Sequence, residues 1–97
     1  MALKAAPQAL RDIRAATAWW KANRPAAPDL LREELRRAFR VLVQRPQIGA
    51  KSLDAESEGI RRLFLRVTRY FIYYSVHEYD IEVLRVWHAS RGTKPER

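Results

Sequence analysis

The chain has 97 residues, with 19 Lys plus Arg against 11 Asp plus Glu, a formal net charge of +8 and no cysteine. That length suits one domain spanning 1–97, and the lack of cysteine excludes a disulfide framework, a thiolate metal site and a cysteine nucleophile. Fifteen of the 19 cationic residues are arginine, whose planar fork pairs with phosphate or carboxylate, so the surface expects a polyanion or an acidic protein.

An apolar fraction of 47% fits a globular domain. No apolar run approaches the roughly 18–20 residues of a membrane span. The opening residues Met1 to Ile13 do not read as a signal peptide, and a cytosolic protein is expected.

In chain order, Ala2 to Ala5 forms a short edge strand at most. A first helix is predicted from Pro7 to Asn23, with Leu10, Ile13, Thr17 and Trp20 recurring at three- and four-residue steps beside Ala9 and Ala16. Pro7 suits a first helical turn, and Pro25 follows the end. After the tight connection Arg24 to Pro28, a second helix runs from about Pro28 to Gln44. Its stripe is Leu31, Leu35, Ala38 and Leu42, joined by Phe39. Asp29, Glu33 and Glu34 sit near its positive end, and Arg36, Arg37, Arg40 and Arg45 toward its negative end. Two such helices make a hairpin.

Gln47 to Gly59 is polar and reads as a loop. Three strands follow. Arg61 to Val67 places Leu63, Leu65 and Val67 on one face and Arg62, Phe64 and Arg66 on the other. Tyr70 to His77 places Tyr70, Ile72, Tyr74 and Val76 together. Asp80 to His88 places Ile81, Val83 and Trp87 on one face, and Leu84, Val86 and His88 on the other. Short turns at Thr68-Arg69 and Glu78-Tyr79 make an antiparallel meander. The tail from Ser90 to Arg97 is polar and basic. The fold class is α+β: a helical hairpin over one face of a curved antiparallel sheet.

This order of elements resembles the RelE/ParE toxin superfamily. Pro7-Gln-Ala-Leu-Arg-Asp-Ile13 resembles the opening of its first helix, and Arg45-Pro-Gln-Ile-Gly49 its stop after the second. Ile60-Arg-Arg62 with Tyr70-Phe-Ile-Tyr-Tyr-Ser-Val76 is similar to its central hairpin, and Ile81 to His88 to its last strand, closing in Arg-Val-x-His. The resemblance implies a toxin neutralised by a ParD-like acidic antitoxin protein. Its two branches differ in kind: RelE-like members cut mRNA on the ribosome, and ParE-like members inhibit DNA gyrase. The sequence stands nearer the ParE branch.

Cutting RNA through its own 2′-OH needs a base, an acid and a cation for the phosphorane. The chain supplies arginines and one imidazole at the end of the last strand, but no tyrosine after Tyr79. A ribonuclease would rest on His88 with Arg62 and Arg66; otherwise His88 is a structural imidazole at the sheet edge. The target-binding set is Arg62, Phe64, Arg66, Arg69, Arg85, His88 and Arg91, since aromatic and guanidinium groups together suit a partner surface. Trp19, Leu30, Val41 and Val43 flank the core stripes. They either widen those stripes or form an apolar groove for an amphipathic antitoxin helix. No metal and no cofactor are expected. A third reading is a toxin-like binding module without toxicity.

Overall fold

The computed structural model describes residues 1–51 and 59–90. Its elements are β1 (Ala2–Ala5), α1 (Pro7–Asn23), α2 (Leu30–Gln44), β2 (Ala50–Lys51), β3 (Ile60–Phe64), β4 (Tyr70–Val76) and β5 (Asp80–His88). The five strands form one sheet in the order β1-β5-β4-β3-β2. The meander β3-β4-β5 is antiparallel as expected, and β2 adds to β3 in the same sense. β1 instead runs parallel to β5, Leu3 facing Ile81 and Ala5 facing Val83, so the sheet is mixed. The crossover from β1 to β5 carries both helices to one face, the usual consequence of a parallel connection.

One core lies between helices and sheet. Ala9, Ala16 and Trp20 of α1 and Leu31, Leu35, Ala38 and Leu42 of α2 pack on Tyr70, Ile72, Tyr74, Ile81, Val83 and Val86. Leu10 was expected in the α1 stripe but is 43% exposed. The buried positions 9, 16 and 20, with partly buried Ile13, follow the helical period, and Leu10 lies about 100° off that line. Trp20 anchors the connection through its indole N–H, which donates to the Ala27 carbonyl at 2.9 Å. The second helix starts at Leu30 rather than Pro28, because a turn from Ala27 to Leu30 precedes it.

β3 stops at Phe64, short of the expected Val67. A tight turn replaces the last residues: Leu65 N–H donates to the Tyr70 carbonyl and Arg69 N–H to that of Leu65, with Arg69 at φ 66°. Glu34 holds it from below. Its carboxylate accepts from Val67 N–H, Thr68 N–H and the Thr68 hydroxyl at 2.9, 2.9 and 2.6 Å. Val67 therefore leaves the core side and is 58% exposed.

The expected faces of β5 also change. Tyr74 stands opposite Val83 and Tyr73 opposite Arg85, so Leu84 is an extra residue in a bulge. Beyond it the alternation inverts. Val86 and His88 point to the helix side, and Trp87, expected beside Ile81 and Val83, turns to the opposite face. The expected loop Gln47 to Gly59 contains the two-residue strand β2; residues 52–58 of that loop, and the basic tail beyond Ser90, lie outside the described residues. Where the loop leaves α2, the Tyr74 hydroxyl accepts the Gly49 N–H at 2.8 Å, and Arg61 donates to the carbonyls of Gly49 and Gln47.

Candidate functional site

The face of the sheet away from the helices is built from two rows that cross three strands. In one row Arg62 (β3) stands opposite Tyr73 (β4), which stands opposite Arg85 (β5). In the next, Phe64, Phe71 and Trp87 align in the same way. The alternation of each strand produces this, since Leu63 and Val86 opposite Ile72, and Val83 opposite Tyr74, pack on the core side. The rings touch: Phe64 and Phe71 have centroids 5.0 Å apart, Phe71 and Tyr73 6.1 Å. Guanidinium groups lie over them, Arg62 at 4.6 Å from Phe71, Arg69 at 5.5 Å from Phe64 and Arg85 at 5.0 Å from Trp87. Such contacts hold long cationic side chains in place at modest cost, because the ring quadrupole attracts the charge. Arg62, Phe64 and Arg69 are exposed, and Phe71, Tyr73 and Trp87 half-buried.

His88 belongs to the other side. It stands opposite Tyr70, with the rings edge-on at 4.9 Å. Together with Asp12, Ala15, Ala16, Trp19, Val86 and Ser90 they line a cleft of about 420 Å³ between α1 and the end of β5. The His88 Nδ1 lies 2.7 Å from the Ser90 hydroxyl and accepts the Ser90 N–H at 3.1 Å. An imidazole nitrogen that accepts a backbone N–H carries no proton of its own, which places the ring proton of the neutral form on Nε2.

β1 pairs with β5 only as far as Val83, and the rest of that edge is served by α1. Asp12 accepts from the Val86 N–H at 3.0 Å and from Arg85 through Nε at 2.7 Å and Nη2 at 3.1 Å. Both side chains are about 15% exposed, 14% for Arg85 and 15% for Asp12. The fork of Arg85 is thereby spent on a bidentate pair that ties helix to strand.

The structure brings Arg62, Phe64, Arg69 and Arg85 to the outer face, with Arg85 anchored at its margin by Asp12. Arg66 is exposed in the turn after β3. His88 is on the opposite face, and Arg91 lies outside the described residues. The four helical residues do not share a groove. Trp19 faces the cleft. Leu30 and Val41, eleven residues apart and so on one line of α2, flank one side of its buried stripe, and Val43 falls with Phe39 on the other. Leu30 is partly buried against the core.

Sequence reasoning missed Phe71 and Tyr73, although the alternation of β4 contained them. Trp87 was hidden by the bulge. Asp12 and Glu34 carried no local signal, because their partners are 73 and 33 residues away.

Comparison with known proteins agrees with this fold. Residues 3–92 match the family model described as the ParE toxin of the type II toxin-antitoxin system parDE. No curated protein matches the chain. Among solved structures, the chromosomal ParDE toxin-antitoxin system from P. aeruginosa superposes with a TM-score of 0.74 at 21% identity, over 91% of this chain and 95% of that one. YafQ from E. coli strain BL21(DE3) does so with 0.65 at 12%, over 91% and 92%. The intact E. coli RelBE toxin-antitoxin complex gives 0.62 at 22%, over 93% and 98%. The helix pair, the mixed sheet and the family match over nearly the whole length lead to one assignment: the chain belongs to the ParE toxin family of type II toxin-antitoxin systems.

Proposed function

We propose that this toxin inhibits DNA gyrase by binding, without hydrolysing a substrate, and that the outer face of its sheet makes the contact. One observation carries the proposal: His88 and Arg62 stand on opposite faces of the sheet. Cleavage of RNA needs its base, acid and cation within reach of one phosphate, and the residues that could supply them diverge here. The Nδ1 lone pair of His88 is also directed at the Ser90 N–H, which disfavours a role for that nitrogen as a base. The outer face, by contrast, assembles guanidinium and aromatic groups of the kind that dominate binding surfaces.

An acidic antitoxin completes the proposal. The net charge of +8 favours rapid capture by a protein of opposite sign. The cleft beside Trp19, which is 48% exposed, offers that partner's helix an apolar anchor, and the cytosol is the expected compartment.

The test is supercoiling of relaxed plasmid by purified gyrase with the toxin titrated in. Loss of supercoiling, or accumulation of cleaved plasmid, at near-stoichiometric toxin is expected. No effect at large excess, together with cut transcripts on translating ribosomes, contradicts the proposal in favour of an mRNA endoribonuclease. No effect in either assay, with harmless expression, points to a binding module without toxicity.

A further inference from the structure

The rows on the outer face offer more than charge. Phe64, Phe71 and Trp87 run across three adjacent strands, and the rings of Phe64 and Phe71 have centroids 5.0 Å apart. Arg62 and Arg69 lie over Phe71 and Phe64 at 4.6 and 5.5 Å, so a guanidinium plane, itself a surface on which a base stacks, stands over each of those rings. Duplex DNA hides the faces of its bases inside the stack and shows a protein only edges and phosphates. A row of rings gains nothing from it. A single strand presents base faces and phosphates together, and rings interleaved with arginines match both, by stacking and by charge.

We propose that the outer face binds single-stranded DNA, with Phe64, Phe71 and Trp87 as the stacking row and Arg62 and Arg69 as its phosphate contacts. This rests on the gyrase reading and deepens it: the toxin touches an unpaired stretch of the DNA that gyrase holds, as well as or instead of the enzyme.

The test is fluorescence anisotropy of a labelled oligothymidylate of about twelve nucleotides, titrated with the full-length toxin and with variants of verified fold. Binding tighter than to a duplex of equal length is expected, weakening with added salt because phosphates are neutralised. Phe64→Ala keeps every charge and is expected to weaken binding about tenfold, as loss of one stacked base does. Arg62→Gln is expected to weaken it and to flatten the salt dependence. Because Phe71 is half-buried, Phe71→Leu serves as a second probe of the row and is expected to act like Phe64→Ala.

Equal affinity for single strand and duplex, or no response to Phe64→Ala and Phe71→Leu, overturns the inference and leaves only diffuse attraction to polyanions. Oligouridylate bound tenfold more tightly than oligothymidylate also overturns it, in favour of RNA. Gyrase inhibition without oligothymidylate binding removes this inference and keeps the gyrase reading. Binding without any effect on gyrase keeps the single-strand site and removes the gyrase reading.

Discussion

Gly49 has no room for a side chain. A Cβ there would fall 2.6 Å from the Tyr74 hydroxyl and 2.8 Å from the Arg62 carbonyl oxygen. The same approach lets the Gly49 N–H donate to that hydroxyl. The Arg-Pro-x-x-Gly stretch after α2 thus has a physical reason: it threads the chain between a buried tyrosine and β3. Gly49→Ala is expected to cost about 1–3 kcal/mol, as overpacking does, read from the urea midpoint. Adding Tyr74→Phe should recover part of that loss and not all, because the Arg62 carbonyl remains. Additive effects of the two substitutions would contradict this contact.

Burial pushes the Tyr74 hydroxyl above its ordinary pKa, partly offset by the Gly49 N–H and by the charge of Arg61. The fold therefore favours the protonated form. The stability this contributes is fully present below the unfolded value near 10 and is lost as pH rises through the higher folded value. Unfolding of the native chain should steepen above about pH 10 relative to Tyr74→Phe. Identical alkaline limbs for the two would rule out this linkage.

At the scale of elements, the helices and the strand cores were legible from periodicity, because each buries one stripe: Leu31, Leu35, Ala38 and Leu42 for α2, Tyr70, Ile72 and Tyr74 for β4. What escaped were features set by partners distant in sequence. The early end of β3 depends on Glu34, whose carboxylate reaches the turn from α2. The inversion in β5 depends on where the bulge at Leu84 falls against β4. Neither leaves a mark in local spacing, and the bulge decided which face Trp87 joins. The candidate site was legible in Arg62 and Phe64 because strand alternation alone sets them apart from the core, whereas Arg69 joins them from the turn after β3. Trp19, Leu30, Val41 and Val43 lie on more than one side of the helix pair, because flanking a stripe does not say on which side.

Glu34 supplies a further prediction. Glu34→Gln keeps the shape and places an amide N–H₂ where an acceptor is required. Losing hydrogen bonds to a charged group should cost about 2 kcal/mol, or about 10 °C in Tm for a domain of this size. A shift under about 2 °C would mean that the turn holds itself.

For the whole molecule, the bulge and the two helices divide the sheet into faces of different composition. The helix side holds the core and ends in the cleft where His88 meets Asp12 and Trp19. The outer side presents guanidiniums over rings. No helix among the described residues is long and apolar enough to cross a membrane. The proposed function puts target binding on that outer side and leaves His88 a structural role on the far side.

The most direct check of that division is the concentration of toxin that half-inhibits gyrase supercoiling, compared between His88→Ala and the double variant Arg62→Ala/Phe64→Ala. Less than a threefold change is expected for His88→Ala and at least a tenfold loss for the double variant, about 1.4 kcal/mol or more of contact. Loss of activity in His88→Ala with the double variant unaffected would contradict it, and would move the working site to the cleft.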